Sequence, residues 1–98
     1  FLAWARADYA CVIFKLHVDH HANGLARART DFQRLIERAI EFDGSYFLTY
    51  HRFARRDQLL RCYPQMPEFL RRKRAFDPEQ RFSSDWHRHQ VALLQDLF

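Results

Sequence analysis

Glycine is nearly missing: the 98 residues hold Gly24 and Gly44 and no other. A phosphate-cradling loop or a dinucleotide fingerprint needs several glycines at fixed offsets, so this chain can supply neither. Three prolines leave no proline-rich linker. The two cysteines, Cys11 and Cys62, form no disulfide or metal pattern. They fit a reducing compartment, and a cytoplasmic location is expected. Neither has glycine neighbours, which excludes the strained elbow that presents a nucleophile. No apolar run approaches membrane-spanning length, and no signal peptide is visible. Internal repeats and low-complexity segments are absent as well.

What is there is apolar and basic. Hydrophobic residues make up 48%, with 10 Phe, which argues against disorder. The length suits one domain and not two. Lys+Arg exceed Asp+Glu by 16 to 12, and all but Lys15 and Lys73 of the basic residues are arginine. A net charge of +4 allows an anionic partner without requiring one. Phe1 already lies in an apolar stretch, and the chain reads as a piece of a longer protein.

The stretch "YACVIFKLHV" (Tyr9–Val18) alternates in the manner of a strand. Ala10, Val12, Phe14, Leu16 and Val18 make one apolar face; Tyr9, Cys11, Ile13, Lys15 and His17 make a mixed one. After the loop "HHANG", with Asn23 as the expected N-cap, residues 25–42 place Leu25, Ala28, Phe32, Leu35, Ile36 and Ala39 on one helical stripe. Gly44 is expected in the left-handed capping position. "SYFLTYH" (Ser45–His51) reads as a second strand. A strand-helix-strand unit predicts a right-handed crossover with parallel strands. Further helices are expected at Arg56–Cys62, from near Pro67 to Phe76, and after Ser83 or Ser84, with breaks at Pro64 and Asp77-Pro78. The predicted fold class is α+β: a ferredoxin-like half-sheet within residues 1–53, then a helical tail over 54–98.

Parallel strands would set His17 and His51 at carboxyl ends, where open α/β sheets bind ligands. Parity puts Lys15, His17 and His51 on the face opposite the core helix and Tyr50 on the other. Histidine there can move protons near neutral pH and lysine can hold an anion, against the plainer reading of ordinary surface residues. "HVDHH" contains ligand types in His17, Asp19, His20 and His21, but the spacing gives no four-ligand set and no metal is expected. "RRKR" (Arg71–Arg74) reads as a helix with one buried edge and solvated arginines rather than a specific nucleic-acid grip. Leu2, Trp4 and the face of Tyr9, Cys11 and Ile13 are expected to stay exposed and to promote self-association.

The order of these elements resembles the closing segment of FAD-linked oxidoreductases of the vanillyl-alcohol oxidase and p-cresol methylhydroxylase superfamily. The likeness rests on Lys73, Arg74, Phe76, Asp77, Pro78 and Phe82 in "KRAFDPEQRF", and on "DGSYFLTYHRFA", where such enzymes carry a strand ending in a histidine that faces flavin or substrate. It extends from about Tyr9 to His89. It implies the end of a substrate (cap) domain plus the C-terminal tail, inactive alone, with FAD held mainly by an upstream domain. His51 would be the catalytic group, taking a proton as hydride passes from a small organic substrate to FAD. Lys15, His17 and Tyr50 would contact substrate, and Ser84 and Arg88 would touch the cofactor side. The competing class is an independent basic α+β module that binds protein or nucleic acid.

Overall fold

A computed structural model describes residues 2–98. Four helices make up its regular structure: α1 (Ala22–Glu41), α2 (Arg56–Cys62), α3 (Met66–Phe76) and α4 (Asp85–Leu94), followed by a 3-10 turn, Gln95–Leu97. There is no β-strand among the described residues. The expected strand-helix-strand, ferredoxin-like unit is therefore not present, and the α+β class is corrected to all-helical.

The physical reason lies in where the backbone acceptors go. A strand must exchange N–H and C=O groups with a neighbour. In Ser45–His51 two of those carbonyls are taken by side chains. The Tyr46 carbonyl accepts from the Tyr63 hydroxyl and the Leu48 carbonyl from Trp86 Nε1 at 3.1 Å. The segment turns at 48–50. Tyr46 and Leu48 face the core while the Phe47 and Tyr50 rings meet at a tilt, 4.8 Å apart, on the outside, so period-two alternation fails. Tyr9–Val18 is left without a partner. It is extended, makes no backbone hydrogen bond to another segment among the described residues, and exposes Val12, Phe14 and Leu16 on one face and Ile13 on the other. Side chains moor its vicinity instead: Tyr9 Oη donates to the Asp43 carbonyl (3.0 Å), and Ser45 Oγ to the Trp4 carbonyl (2.8 Å).

Helix ends follow local chemistry. His21, not Asn23, caps α1: its Nδ1 accepts the Gly24 amide at 3.0 Å. A Cβ on Gly24 would lie 2.1 Å from the Asp19 carbonyl oxygen, so the approach of that loop requires glycine. At the other end Asp43 (φ 56°), not Gly44, is left-handed. The Asp43 amide donates to the Ile40 carbonyl (2.9 Å) and the Gly44 amide to Ala39 (2.7 Å), a Schellman closure. α2 stops one residue before Tyr63 and Pro64, α3 carries Pro67 in its first turn, and Ser84 caps α4 by accepting the His87 amide at 3.2 Å.

The core runs across residue 53: Ile36 and Leu48 pack with Leu59, Cys62, Tyr63, Met66, Leu70 and Leu94. Polar ties lock α1 to α2. Buried Gln58 donates to the Gln33 carbonyl (2.8 Å) and Glu37 Oε2 (3.0 Å) and accepts the Arg55 amide (3.1 Å). Arg55 also reaches Glu37 at 2.9 Å, and those contacts hold the Glu37 carboxyl below its ordinary range, with the Gln58 bond the larger influence.

Candidate functional site

The turn that replaces the second strand builds a site that combines aromatic and basic side chains. Its centre is His51. The imidazole lies 4.4 Å from the Phe32 ring of α1, 5.5 Å from Phe53 and 6.1 Å from Tyr46. The Phe53 amide donates to His51 Nδ1 at 3.3 Å. A backbone N–H can only donate, so Nδ1 carries the lone pair and the neutral ring holds its proton on Nε2. Burial among the aromatics pushes the pKa of His51 below its ordinary value. At neutral pH His51 is thus an uncharged Nε2–H donor. Its lone pair is already engaged, which suits holding an oxygen better than taking a proton.

Around it lie Arg52, Ala54 and Leu59, and His89, Gln90 and Leu93 of α4, lining a shallow, open cleft that encloses no space of its own. Gln90 is buried, and its Oε1 has no hydrogen-bond partner among the described residues. Desolvation first, then Arg52 and Arg29, push the His89 pKa down. Of these residues, the order of amino acids points to His51 and not to Arg52, His89 or Gln90. The available signal was Gln90, a polar residue one turn from Trp86 and one turn from Leu94 on the inward stripe of the last helix.

The other sequence candidates lie apart from this cleft or do structural work. Tyr50 is 83% exposed. Lys15 and His17 belong to the extended segment; His17 Nε2 pairs with Asp19 Oδ1 at 3.1 Å and borders a second cleft with Gly24, Arg27 and Asp31. Without a sheet among the described residues, Lys15, His17 and His51 have no common sheet face. Ser84 is the α4 cap, and exposed Arg88 pairs with Asp85 and reaches Ser83 Oγ at 3.3 Å. In "RRKR", Arg71 and Arg72 pair with Glu68 at 2.8 Å each.

The Asp-Pro motif has a clear mechanical reading. The Asp77 carboxylate accepts the amides of Arg81 (2.9 Å) and Phe82 (3.0 Å) and pairs with Lys73 Nζ. Gln80 takes the left-handed conformation (φ 56°) that tightens the turn. The Lys73 contact, followed by the backbone amides, holds the Asp77 pKa below its ordinary value. A depressed carboxyl pKa contributes stability above the unfolded-state value that is lost as pH falls through the folded one. Asp77→Ala should therefore melt below wild type at neutral pH, and the gap should begin to narrow near about pH 4 and close as pH falls through the lowered pKa of Asp77. Thermal melts across that range check this; a gap that persists undiminished in acid assigns the effect to something other than the carboxylate's charge.

Comparison with known protein families, curated protein sequences and solved structures finds no match. The likeness to flavin-linked oxidoreductases thus rests on the motif residues themselves. No helix among the described residues is long and apolar enough to cross a membrane.

Proposed function

We propose that this chain is the C-terminal substrate-side and tail segment of a flavin-dependent oxidoreductase, working only with a flavin-binding portion that holds FAD. One observation carries the reading. Five of the six motif residues divide into two sets: Lys73, Asp77 and Pro78 build a braced turn, whereas Phe76 and Phe82 on either side of it are 90% and 82% exposed. Aromatics displayed at that level by a braced turn do nothing for this chain's own fold, which fits docking on a neighbouring domain. The uncovered apolar segment Tyr9–Val18 fits the same arrangement. Without the flavin portion, copies of the chain would cover these surfaces for one another.

In this reading a small organic substrate lies between the flavin and the His51 cleft, and His51 Nε2–H holds a substrate oxygen as hydride leaves. The flavin supplies the hydride chemistry. Unpaired Cys11 and Cys62 suit a reducing compartment, and the cytoplasm is the proposed location. The test uses the chain alone and joined to its flavin portion. Residues 1–98 mixed with FAD should elute colourless from gel filtration, since no glycine-rich phosphate loop is available, whereas the joined protein should be yellow and bleach on reduction. A yellow preparation of residues 1–98 alone, or a colourless joined protein, overturns the reading.

A further inference from the structure

The cleft beside His51 has a charge pattern that the flavin reading does not use. Arg52 is exposed at its mouth and has no hydrogen bond or close ion pair among the described residues. Most other arginines are matched: Arg55 with Glu37 and Asp57, Arg56 with Asp96, Arg38 with Glu41, Arg81 with Glu79. Arg29 approaches from α1 over the face of Phe53, 5.9 Å from its centroid, and its charge reaches His89 along with that of Arg52. The carboxylate that feels Arg52, Asp85 of α4, is already bonded to Arg88. Tyr46 completes the wall as a neutral phenol. One unpaired guanidinium, Arg52, thus shares the cleft with His51 and His89, with no acid among the cleft-lining residues.

We propose that this cleft is a binding site for a small anionic group, a carboxylate or a phosphate, seated across its mouth between Arg52, His51 and His89. Gln90 agrees with this: its Oε1 is enclosed, and its amide N–H groups, with no hydrogen bond among the described residues, are the end left to donate to an anion. Arg52 provides the charge-assisted bond, and its planar fork suits either oxyanion. Bound anion favours protonated His89, so affinity rises as pH falls. The inference stands on the cleft's own residues and holds whether or not the flavin reading does.

The experiment is a titration of residues 1–98 with acetate and, separately, with inorganic phosphate at constant ionic strength, followed by the imidazole NMR signals of His51 and His89. Saturable shifts of both rings are expected with at least one anion, and the tighter anion identifies the group. Arg52→Gln, at an exposed position, should weaken binding by about tenfold or more, while Arg38→Gln on the outer face of α1 should leave it unchanged. Acetate, which stays ionised over this range, should bind more tightly as pH falls below about 7, and His89→Gln should remove most of that trend. Shifts that do not saturate with either anion, or equal weakening by Arg38→Gln and Arg52→Gln, overturn the proposal.

Discussion

Tyr63→Ala should leave this chain largely unfolded at 25 °C. Tyr63 is completely buried at the C-terminal end of α2. Its ring meets Tyr46 edge-on at 5.6 Å, and its hydroxyl donates to the Tyr46 carbonyl. Removing a buried aromatic costs about 3–5 kcal/mol in lost transfer energy and cavity. Here the same change also strands the half-buried Tyr46 carbonyl, and an acceptor that loses its partner adds about 1–3 kcal/mol. Against a total stability of about 5–15 kcal/mol for a typical domain, the sum removes most or all of the margin. Tyr63→Phe separates the two contributions, because it keeps the ring and loses only the bond; a loss of about 1–3 kcal/mol is expected. Urea unfolding followed by far-UV circular dichroism measures both. If Tyr63→Ala unfolds within 1 kcal/mol of wild type on the scale of about 3–5 kcal/mol expected, the residue is not the keystone of the 46–48 turn.

That same hydroxyl explains why the fold was only half legible. The helices announce themselves through residues that act locally. Pro64 and Pro67 bracket the α2–α3 junction, Asp77-Pro78 ends α3, and Ser84 opens α4. These constraints operate within a few residues, so sequence order carries them. A strand is different, because its ladder partner lies elsewhere. Alternation in Tyr9–Val18 records apolar residues in need of cover and does not specify that a strand will provide it. Ser45–His51 has strand-like composition, yet Trp86 and Tyr63, 38 and 17 residues downstream of their acceptors, claim its carbonyls. The α1 cap shows the same limit on a smaller scale: Asn23 is the better cap in general, but the turn at Asp19 brings His21 Nδ1 to the Gly24 amide.

His51 emerged from the sequence through a sheet-edge argument whose sheet is absent. What singles it out in the structure is different: three aromatic rings from α1 and the turn, and a backbone amide on Nδ1. Arg52, His89 and Gln90 could not be joined to it beforehand, since nothing in the order of residues says that α4 lies across the 46–54 turn.

In the joined flavoprotein, His51→Ala should slow flavin reduction by substrate about 100-fold while FAD stays bound. Three steps lead there. The Phe53 amide fixes Nδ1 as an acceptor, so the neutral ring offers Nε2–H. Burial lowers the pKa and keeps the ring neutral at pH 7. Phe32, Tyr46 and Phe53 hold the ring in place, so the donor needs little reorganisation when charge develops on a substrate oxygen, and one such preorganised donor is worth about 10²–10³ in rate. His51→Gln distinguishes the donor role from proton abstraction. Glutamine keeps an N–H but is no base, so it should recover much of the rate if His51 donates and should be as slow as alanine if His51 abstracts the proton. Tyr50→Phe should reduce its flavin at the wild-type rate, because Tyr50 lies on the outer surface against Phe47. Stopped-flow traces at the flavin absorbance read all three variants. A Tyr50→Phe enzyme slower than His51→Ala would move the substrate to the outer face of the turn, and a His51→Ala enzyme at the wild-type rate would leave His51 with a packing role alone.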